Sequence, residues 1–250
     1  MAGHSKWANI KHRKAAQDSK RSKIFTKIIR ELTTAAKEGG ADEETNPRLR
    51  LAIQNAKKVN MPKDVMERAI KKAEGGDGDS YVEATYEGYA NGGIAVMVEC
   101  QTDNINRTVA NIRTIFNKAG GNLGVSGSVS YLFERKGVFN VKAEGVEEED
   151  LMLNIIDAGV EEIENNGEVF TVTCPFEQYG DVSKAIDAAG YEVDSAALEQ
   201  IPATYVQLDL ESSKKVLNLI DKLEDDDDVQ QVFHNLEMTD ELQAYLESEQ

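Results

Sequence analysis

The chain has 250 residues, with 28 Lys and Arg against 45 Asp and Glu, for a formal net charge of −17. Apolar residues make up 40% of it. That is enough to build packed cores and excludes a disordered chain, while no run approaches the ~18 apolar residues of a membrane span. The length fits two or three domains. The basic N-terminus has no apolar stretch after it, so it does not read as a secretory signal. Cys100 and Cys174 lie far apart, each at the end of a strand-like run, and read as small buried hydrophobes in a reducing compartment. The expectation is a cytoplasmic protein with no membrane partner.

Charge is unevenly placed. The first thirty residues hold nine bases, Lys6, Lys11, Arg13, Lys14, Lys20, Arg21, Lys23, Lys27 and Arg30, and one acid, Asp18. Residues 1–74 hold 18 bases and nine acids, whereas residues 75–250 hold ten bases and 36 acids. A basic segment on an acidic chain is a device for touching phosphates, because Lys and Arg release condensed counterions there. Residues 2–17 read as an arm or a weakly packed helix carrying charge. From residue 22, Ile24, Phe25, Ile28, Ile29 and Leu32 recur at helical spacing, with Lys23, Lys27 and Arg30 off that apolar face.

The first helix is expected to end at Gly39-Gly40. Asn46-Pro47 signals the next start, a cap followed by proline at the first helical position, and Asn60-Met61-Pro62 breaks that second helix before a third. Residues 75–80, Gly-Gly-Asp-Gly-Asp-Ser, form a linker by composition. Beyond it, strands are expected over 84–89 and 94–100 around Asn91-Gly92-Gly93, a hairpin signal. A helix follows with Ile105, Val109, Ile112, Phe116 and Ala119 along one seam, then a strand over 129–133. Residues 137–200 read as strand-helix-strand-strand-helix-strand, the ferredoxin-like order. A strand over 205–210, a helix over 213–223 and a strand over 229–233 make half a domain, whose other half precedes residue 137. Residues 240–250 read as a frayed terminal helix.

The expected fold class is therefore α+β: a helical N-terminal domain followed by two α/β sandwich-like domains, a ferredoxin-like one inserted into a discontinuous middle one. The expected boundaries are 1–76 for the basic three-helix domain, 80–135 plus 201–238 for the middle domain, and 136–200 for the insert.

Catalytic chemistry is hard to find. There is no His-Glu-x-x-His and no Cys-x-x-Cys, and His4 and His12 sit in the basic arm, where hydrogen bonding or added charge suits them better than metal ligation. The glycine-rich stretch at 120–128 follows a helix instead of opening one and lacks a lysine, so it reads as a flexible turn and not as a phosphate loop. Residues 225–228, four aspartates, read as a solvated acidic turn. Asp103 and Asn104 suit a helix cap, leaving Asn106, Arg107 and Asn111 as an exposed polar face. No nucleophile, base and orienting group assemble. The expectation is a protein that is not an enzyme, with no cofactor, no metal site and no small-molecule substrate.

The candidate nucleic-acid-binding residues are Lys6, Trp7, Lys11, His12, Arg13, Lys14, Lys20, Arg21, Lys23, Lys27 and Arg30, with Lys63 at the second helix joint and Arg107 on the polar face. Trp7 could stack on an unpaired base or anchor the arm. Three partners fit this set: DNA phosphates, ribosomal RNA, or an acidic protein surface, which includes the chain's own. The acidic domains are free to bind a protein partner.

The opening GHSKWANIKHRKAAQDSKRSKIFTKIIREL, with NPRLRLAIQNAK, NMPKD, YEGYANGGIAVMVEC, TDNINRTV and GGNLGVSGSVSYLF, resembles the YebC family of bacterial proteins over essentially the whole chain. The resemblance implies three domains, one helical and two α/β, one of these inserted in the other. It also implies a DNA-binding transcriptional regulator. Related mitochondrial proteins look like translational activators for cytochrome c oxidase subunit I, and some bacterial relatives are linked to ribosomes stalled on proline-rich peptides. The GHSKWANIKHRK opening has the form associated with the regulator branch. DNA-binding regulation is thus the first expectation, and a ribosome-associated translation factor that relieves stalling is the alternative.

Overall fold

The structure is a computed structural model that describes residues 18–74 and 81–248, with side chains in the first stretch over residues 22–73. The chain forms two compact units, one from Glu134–Ile201 and the other from the described parts of Ile10–Phe133 and Pro202–Gln250.

The larger unit begins with three helices, α1 (Asp18–Gly39), α2 (Pro47–Lys58) and α3 (Lys63–Glu74). Asn46 fixes the first joint. Its side chain accepts from Leu49 N at 3.1 Å, capping α2, and donates to the carbonyls of Ala35 at 2.8 Å and Gly40 at 2.7 Å. A Cβ on Gly39 would lie 2.6 Å from that amide. The second joint turns on Asn60, at φ +53°, and Met61 N donates to Ala56 O at 2.9 Å. Met61 is thereby buried with Leu32, Leu49, Ala52, Ala56, Met66 and Ala69, and Phe25, Ile28 and Ile29 pack on this core. Each large apolar side chain removed from water contributes about 1.5–3 kcal/mol.

Next come β1 (Val82–Tyr89) and β2 (Ala95–Thr102), α4 (Ile105–Lys118) and the short β3 (Asn122–Leu123). After the insertion the same unit resumes with α7 (Leu210–Glu224), β8 (Val229–His234) and α8 (Asp240–Ser248). The strands form one sheet in the order β3-β1-β2-β8, all pairs antiparallel. Packing places α4 on β1 and β3, and α7 on β8 and α4. Phe116 lies so close over Gly88 that a Cβ there would come within 2.8 Å of its ring.

Four expectations are corrected here. Residues 129–132 do not form a strand: Ser130–Leu132 is a 3-10 turn, Phe133 already opens the strand of the next unit, and the sheet's edge is β3, within the glycine-rich stretch. The cause is Glu87, buried on β1, whose carboxylate accepts from the backbone N–H of Gly127 at 2.8 Å, Val129 at 2.7 Å and Ser130 at 2.8 Å. The stretch is therefore pinned, not a flexible turn. Residues 205–210 hold a single parallel bridge, Val206 to Leu236, and then Asp209 caps α7, accepting from Ser212 N at 2.9 Å. The terminal helix α8 is docked, with Leu242 and Leu246 buried.

The smaller unit runs β4 (Phe133–Lys142), α5 (Glu148–Ile155), β5 (Glu162–Asn165), β6 (Val169–Pro175), α6 (Tyr179–Ala188) and β7 (Val193–Pro202). Its sheet order is β5-β6-β4-β7, the ferredoxin-like arrangement. Phe139 stacks on Tyr179 at 4.7 Å between ring centroids, and Leu151, Ile155, Val182 and Ile186 are fully buried. The fold class is α+β, with this ferredoxin-like unit inserted in the chain between the two segments that build the other unit.

Candidate nucleic-acid interface

The apolar stripe of α1 fixes where its bases point. With Phe25, Ile28, Ile29 and Leu32 turned into the bundle, Lys23, Lys27 and Arg30 fall one turn apart along another face. That row meets the turn between α7 and β8. Lys23 Nζ donates to the Asp225 carbonyl at 3.0 Å and its carboxylate at 3.1 Å. Lys27 Nζ donates to the Glu224 carbonyl at 2.7 Å. One Arg30 Nη reaches the carbonyls of Gln101 at 2.9 Å and Asp227 at 2.7 Å, and the Asp228 carboxylate at 2.8 Å. The Arg30 guanidinium also lies 5.1 Å from the centroid of the Tyr81 ring.

Asp228 is the centre of this seat. Its side chain is only 4% exposed. Arg107 binds the same carboxylate, with Nη2 at 2.8 and 3.0 Å from its two oxygens. Thr108 Oγ1 donates to it at 2.8 Å and Thr102 Oγ1 lies at 3.2 Å. Burial alone would raise this carboxyl, but hydrogen bonds from Arg107, Thr108 and Arg30 outweigh it and hold it below the ordinary carboxylate value. Glu87 follows the same logic: burial opposes ionisation, and the N–H groups of Gly127, Val129 and Ser130 prevail, so its value is lowered.

A second set of contacts braces the helices from the side. Arg48 on α2 binds Glu31 at 2.7 Å and Glu38 at 2.6 Å, both on α1, and also Glu83 on β1. Glu31 accepts in turn from the Gln101 side chain on β2. Burial works against the charge on Arg48, but its hydrogen bonds and attraction to Glu31 and Glu83 raise its value further.

The predicted site residues therefore separate. Lys6, Trp7, Lys11, His12, Arg13 and Lys14 lie outside the described residues, as do the side chains of Lys20 and Arg21, whose backbone belongs to α1. Lys23, Lys27, Arg30 and Arg107 come together, but on protein oxygens: their donors already hold the turn at 224–228 and, for Arg107, also Asp103 at 2.7 Å. This corrects the reading of that turn as solvated. Lys63 stands apart at the start of α3, exposed, with Glu67 at 3.5 Å. Beside it Met61 is buried, so Pro62 and Lys63 of the Met61-Pro62-Lys63 joint are presented to solvent.

The reading missed Asp228, Glu31, Arg48 and Glu87. For Asp228 a signal existed, since four consecutive aspartates match a row of bases at positions 23, 27 and 30. The cap of α4 is Asn104, accepting from Arg107 N at 3.1 Å, while Asp103 serves Arg107 instead. Asn111 donates to Asp226 at 3.2 Å. Burial raises the thiols of Cys100, to about 12, and Cys174, to about 11, so neither is a thiolate at neutral pH. No helix among the described residues is long and apolar enough to cross a membrane.

Comparison with known proteins agrees with this architecture. Residues 5–76 match the family model described as the TACO1/YebC protein N-terminal domain, and residues 81–236 match that of the TACO1/YebC second and third domain. A "Probable transcriptional regulatory protein" of Idiomarina loihiensis is 53% identical over 250 residues, covering 99% of this chain and 100% of the relative. A protein of the same description from Serratia proteamaculans is 55% identical over 248 residues, covering 98% and 100%. A crystal structure of a conserved hypothetical protein from Aquifex aeolicus superposes with a TM-score of 0.81 at 46% identity, covering 89% of this chain and 93% of the other. On these matches, which span nearly its whole length, the chain belongs to the TACO1/YebC family.

Proposed function

We propose that the chain is a cytoplasmic regulatory protein, without catalytic activity, that binds DNA through its basic N-terminal region and controls transcription. The carrying observation is the charge separation, 18 bases in residues 1–74 of a chain at net −17. The names of the relatives, transcriptional regulatory proteins, support the same reading. Three of those bases, Lys23, Lys27 and Arg30, secure the seat of the helices. Phosphate contact falls to Lys6, Lys11, Arg13, Lys14, Lys20 and Arg21, with Trp7 and His12 beside them and Lys63 at the exposed joint. The division of labour follows three domains, 1–76 for nucleic acid, and 80–135 plus 201–238 with the insert 136–200 for a protein partner.

A second reading, binding of ribosomal RNA in a translation role, is favoured by one observation. The exposed residues of α3 include Lys63, Asp64, Glu67 and Arg68, which pair with one another as Lys63–Glu67 and Arg68–Asp64. The helix carries no Asn, Gln, Ser or Thr to read base edges, so it suits phosphate contact more than sequence readout. Cross-linking in cells, followed by sequencing of bound DNA and bound RNA, separates the two. Promoter enrichment with ribosomal RNA at background is the expected result. Enrichment on ribosomal RNA without promoter peaks would replace the first reading by the second. With about six bases on phosphate, log affinity falls against log salt with a slope near −5 on duplex DNA and near −4 on a single strand. No affinity for either at low salt would reject both.

A further inference from the structure

The helix α4 differs from the other α-helices after residue 80, α5 to α8, each of which carries Asp or Glu. Its sequence, INRTVANIRTIFNK, contains no Asp or Glu and carries Arg107, Arg113 and Lys118. Thr108, Ile112 and Phe116 are buried beneath it. Asn106, Ala110, Arg113 and Asn117 recur at four, three and four residues, and all are exposed; this spacing sets them in one stripe along the helix. The side chains of Asn106, Arg113 and Asn117 make no hydrogen bond or ion pair with other described residues. The acids that touch α4 are already engaged: Asp103 and Asp228 with Arg107, and Asp226 with Asn111.

Stability does not account for this composition. Asn is a poor helix former, and Glu or Lys would serve a solvated face better. The outer side of α7 makes the contrast, since it exposes Glu211, Lys215, Asp221 and Lys222, with both signs mixed. Asn and Arg are instead the side chains whose paired donors and acceptors match adenine and guanine edges in the DNA major groove, which is wide enough to admit a helix. Ala110, at the middle of the stripe, leaves room for close approach.

We propose that the exposed stripe of α4 is a second nucleic-acid contact, the surface that reads base edges in the major groove of duplex DNA. It rests on the DNA reading above and adds what α3 lacks. Arg30 of α1 and Arg107 of α4 share the Asp228 carboxylate, so the base-reading helix and the helix that continues the basic N-terminal segment are held against one buried group. Phosphate contacts at the N-terminus fix position, and α4 supplies the sequence preference.

The test uses the full chain and a duplex DNA pool with about 20 randomised base pairs, roughly two helical turns. Three proteins are compared: the wild type, Arg113→Lys, and the triple change Asn106→Ala, Arg113→Ala and Asn117→Ala. Ala raises helix propensity at these exposed positions, so the thermal midpoint should hold or rise. The wild type is expected to enrich a motif. The triple variant should bind the enriched duplex about tenfold more weakly or worse, keep its affinity for a scrambled duplex, and change its salt slope by no more than about one. Arg113→Lys should retain scrambled-duplex affinity and lose preference at one position. The proposal is overturned if the triple variant selects the same motif with equal affinity, or if the wild type binds with a steep salt slope and selects no motif. Binding of a matching RNA pool, but not of DNA, would instead overturn the DNA reading on which it rests.

Discussion

The helices α1 and α4 both carry Lys and Arg on the surface of an acidic protein, and the structure uses them in opposite ways. In α1 the bases at 23, 27 and 30 face a turn some two hundred residues further along the chain and are taken up by its oxygens. In α4 only Arg107, in the first turn, is drawn into that seat, while Arg113 and Lys118 stand clear of it. A count of charges therefore overstates how many bases the described part of α1 leaves for a partner. What separates them is the depth of the acceptor. Asp228 is buried and must be compensated, so it claims the nearest guanidinium from each helix.

The largest effect expected follows from that claim. Replacing Asp228 with Ala leaves Arg30 facing a pocket with no carboxylate, and loss of one partner from a buried pair costs about 3–5 kcal/mol. Urea denaturation should register a loss in this range, and limited proteolysis should cut within the helical part first. A loss below about 1 kcal/mol would place the contact among exposed ion pairs and remove the distinction drawn between the two helices. Acid offers the same test without mutation. A carboxyl lowered in the folded state contributes stability that is fully present above its unfolded value, about 3.9 for Asp and 4.3 for Glu. That contribution is lost as pH falls through the lower folded value. Stability should thus be level above about pH 4.5 and fall below it, and the fall should be shallower in Asp228→Ala.

Glu87 comes next. Glu87→Gln keeps one carbonyl oxygen but turns an amide N–H₂ toward backbone donors, and removing a charged acceptor from such bonds costs about 2 kcal/mol. The loss should appear at pH 7 and narrow toward pH 3, because wild-type Glu87 is itself protonated as pH falls. Hydrogen exchange should rise at Gly127, Val129 and Ser130 before the rest of the sheet. Uniform exchange across β1 and β2 would mean the carboxylate does not hold the loop.

These residues also explain what could be read in advance. Local signals were legible: Asn46-Pro47 marks the start of α2, Gly39-Gly40 the end of α1, and the order of strands and helices after residue 137 gives the ferredoxin-like unit. The failures are non-local. Residues 129–132 have the apolar content of a strand, but Glu87, forty residues earlier, takes the N–H groups of Val129 and Ser130 and bends the segment into a turn. Residues 205–210 read as a strand by pattern, yet Asp209 is used as a helix cap. The acidic turn was visible as charge, but its partner lay in another part of the sequence, and no local rule pairs the two. The polar face of α4 was visible as leftover polarity after capping. Its full stripe depends on knowing which residues are buried.

On nucleic acid the comparison predicts unequal salt effects. Replacing Lys11, Arg13 and Lys14 with Ala should flatten the salt slope by about 2–3 and leave the urea midpoint in place. Replacing Lys27 and Arg30, which serve the seat, should instead lower stability and leave the slope of the remaining folded protein nearly unchanged. The reverse pattern would return phosphate contact to the inner row of α1.

Lys23 gives the smallest effect and the finest test, because it lies between the two uses. Its side chain is 41% exposed and that of Asp225 is 65% exposed, so the pair contributes at most about 0.2–1 kcal/mol. Lys23→Ala should shift the urea midpoint barely beyond error. Its donors are the easiest of the row to withdraw from the protein, and a phosphate offered nearby would compete with Asp225 for them on nearly equal terms. Removing Lys23 should therefore change the salt slope by less than about one. Asp225→Ala frees the same ammonium and removes a competing charge, so it should strengthen DNA binding modestly at low salt and not at high salt, where screening removes the difference. Weaker binding in Asp225→Ala would mean that the turn holds α1 in the orientation DNA requires, and that even the outermost base of the row belongs to the seat.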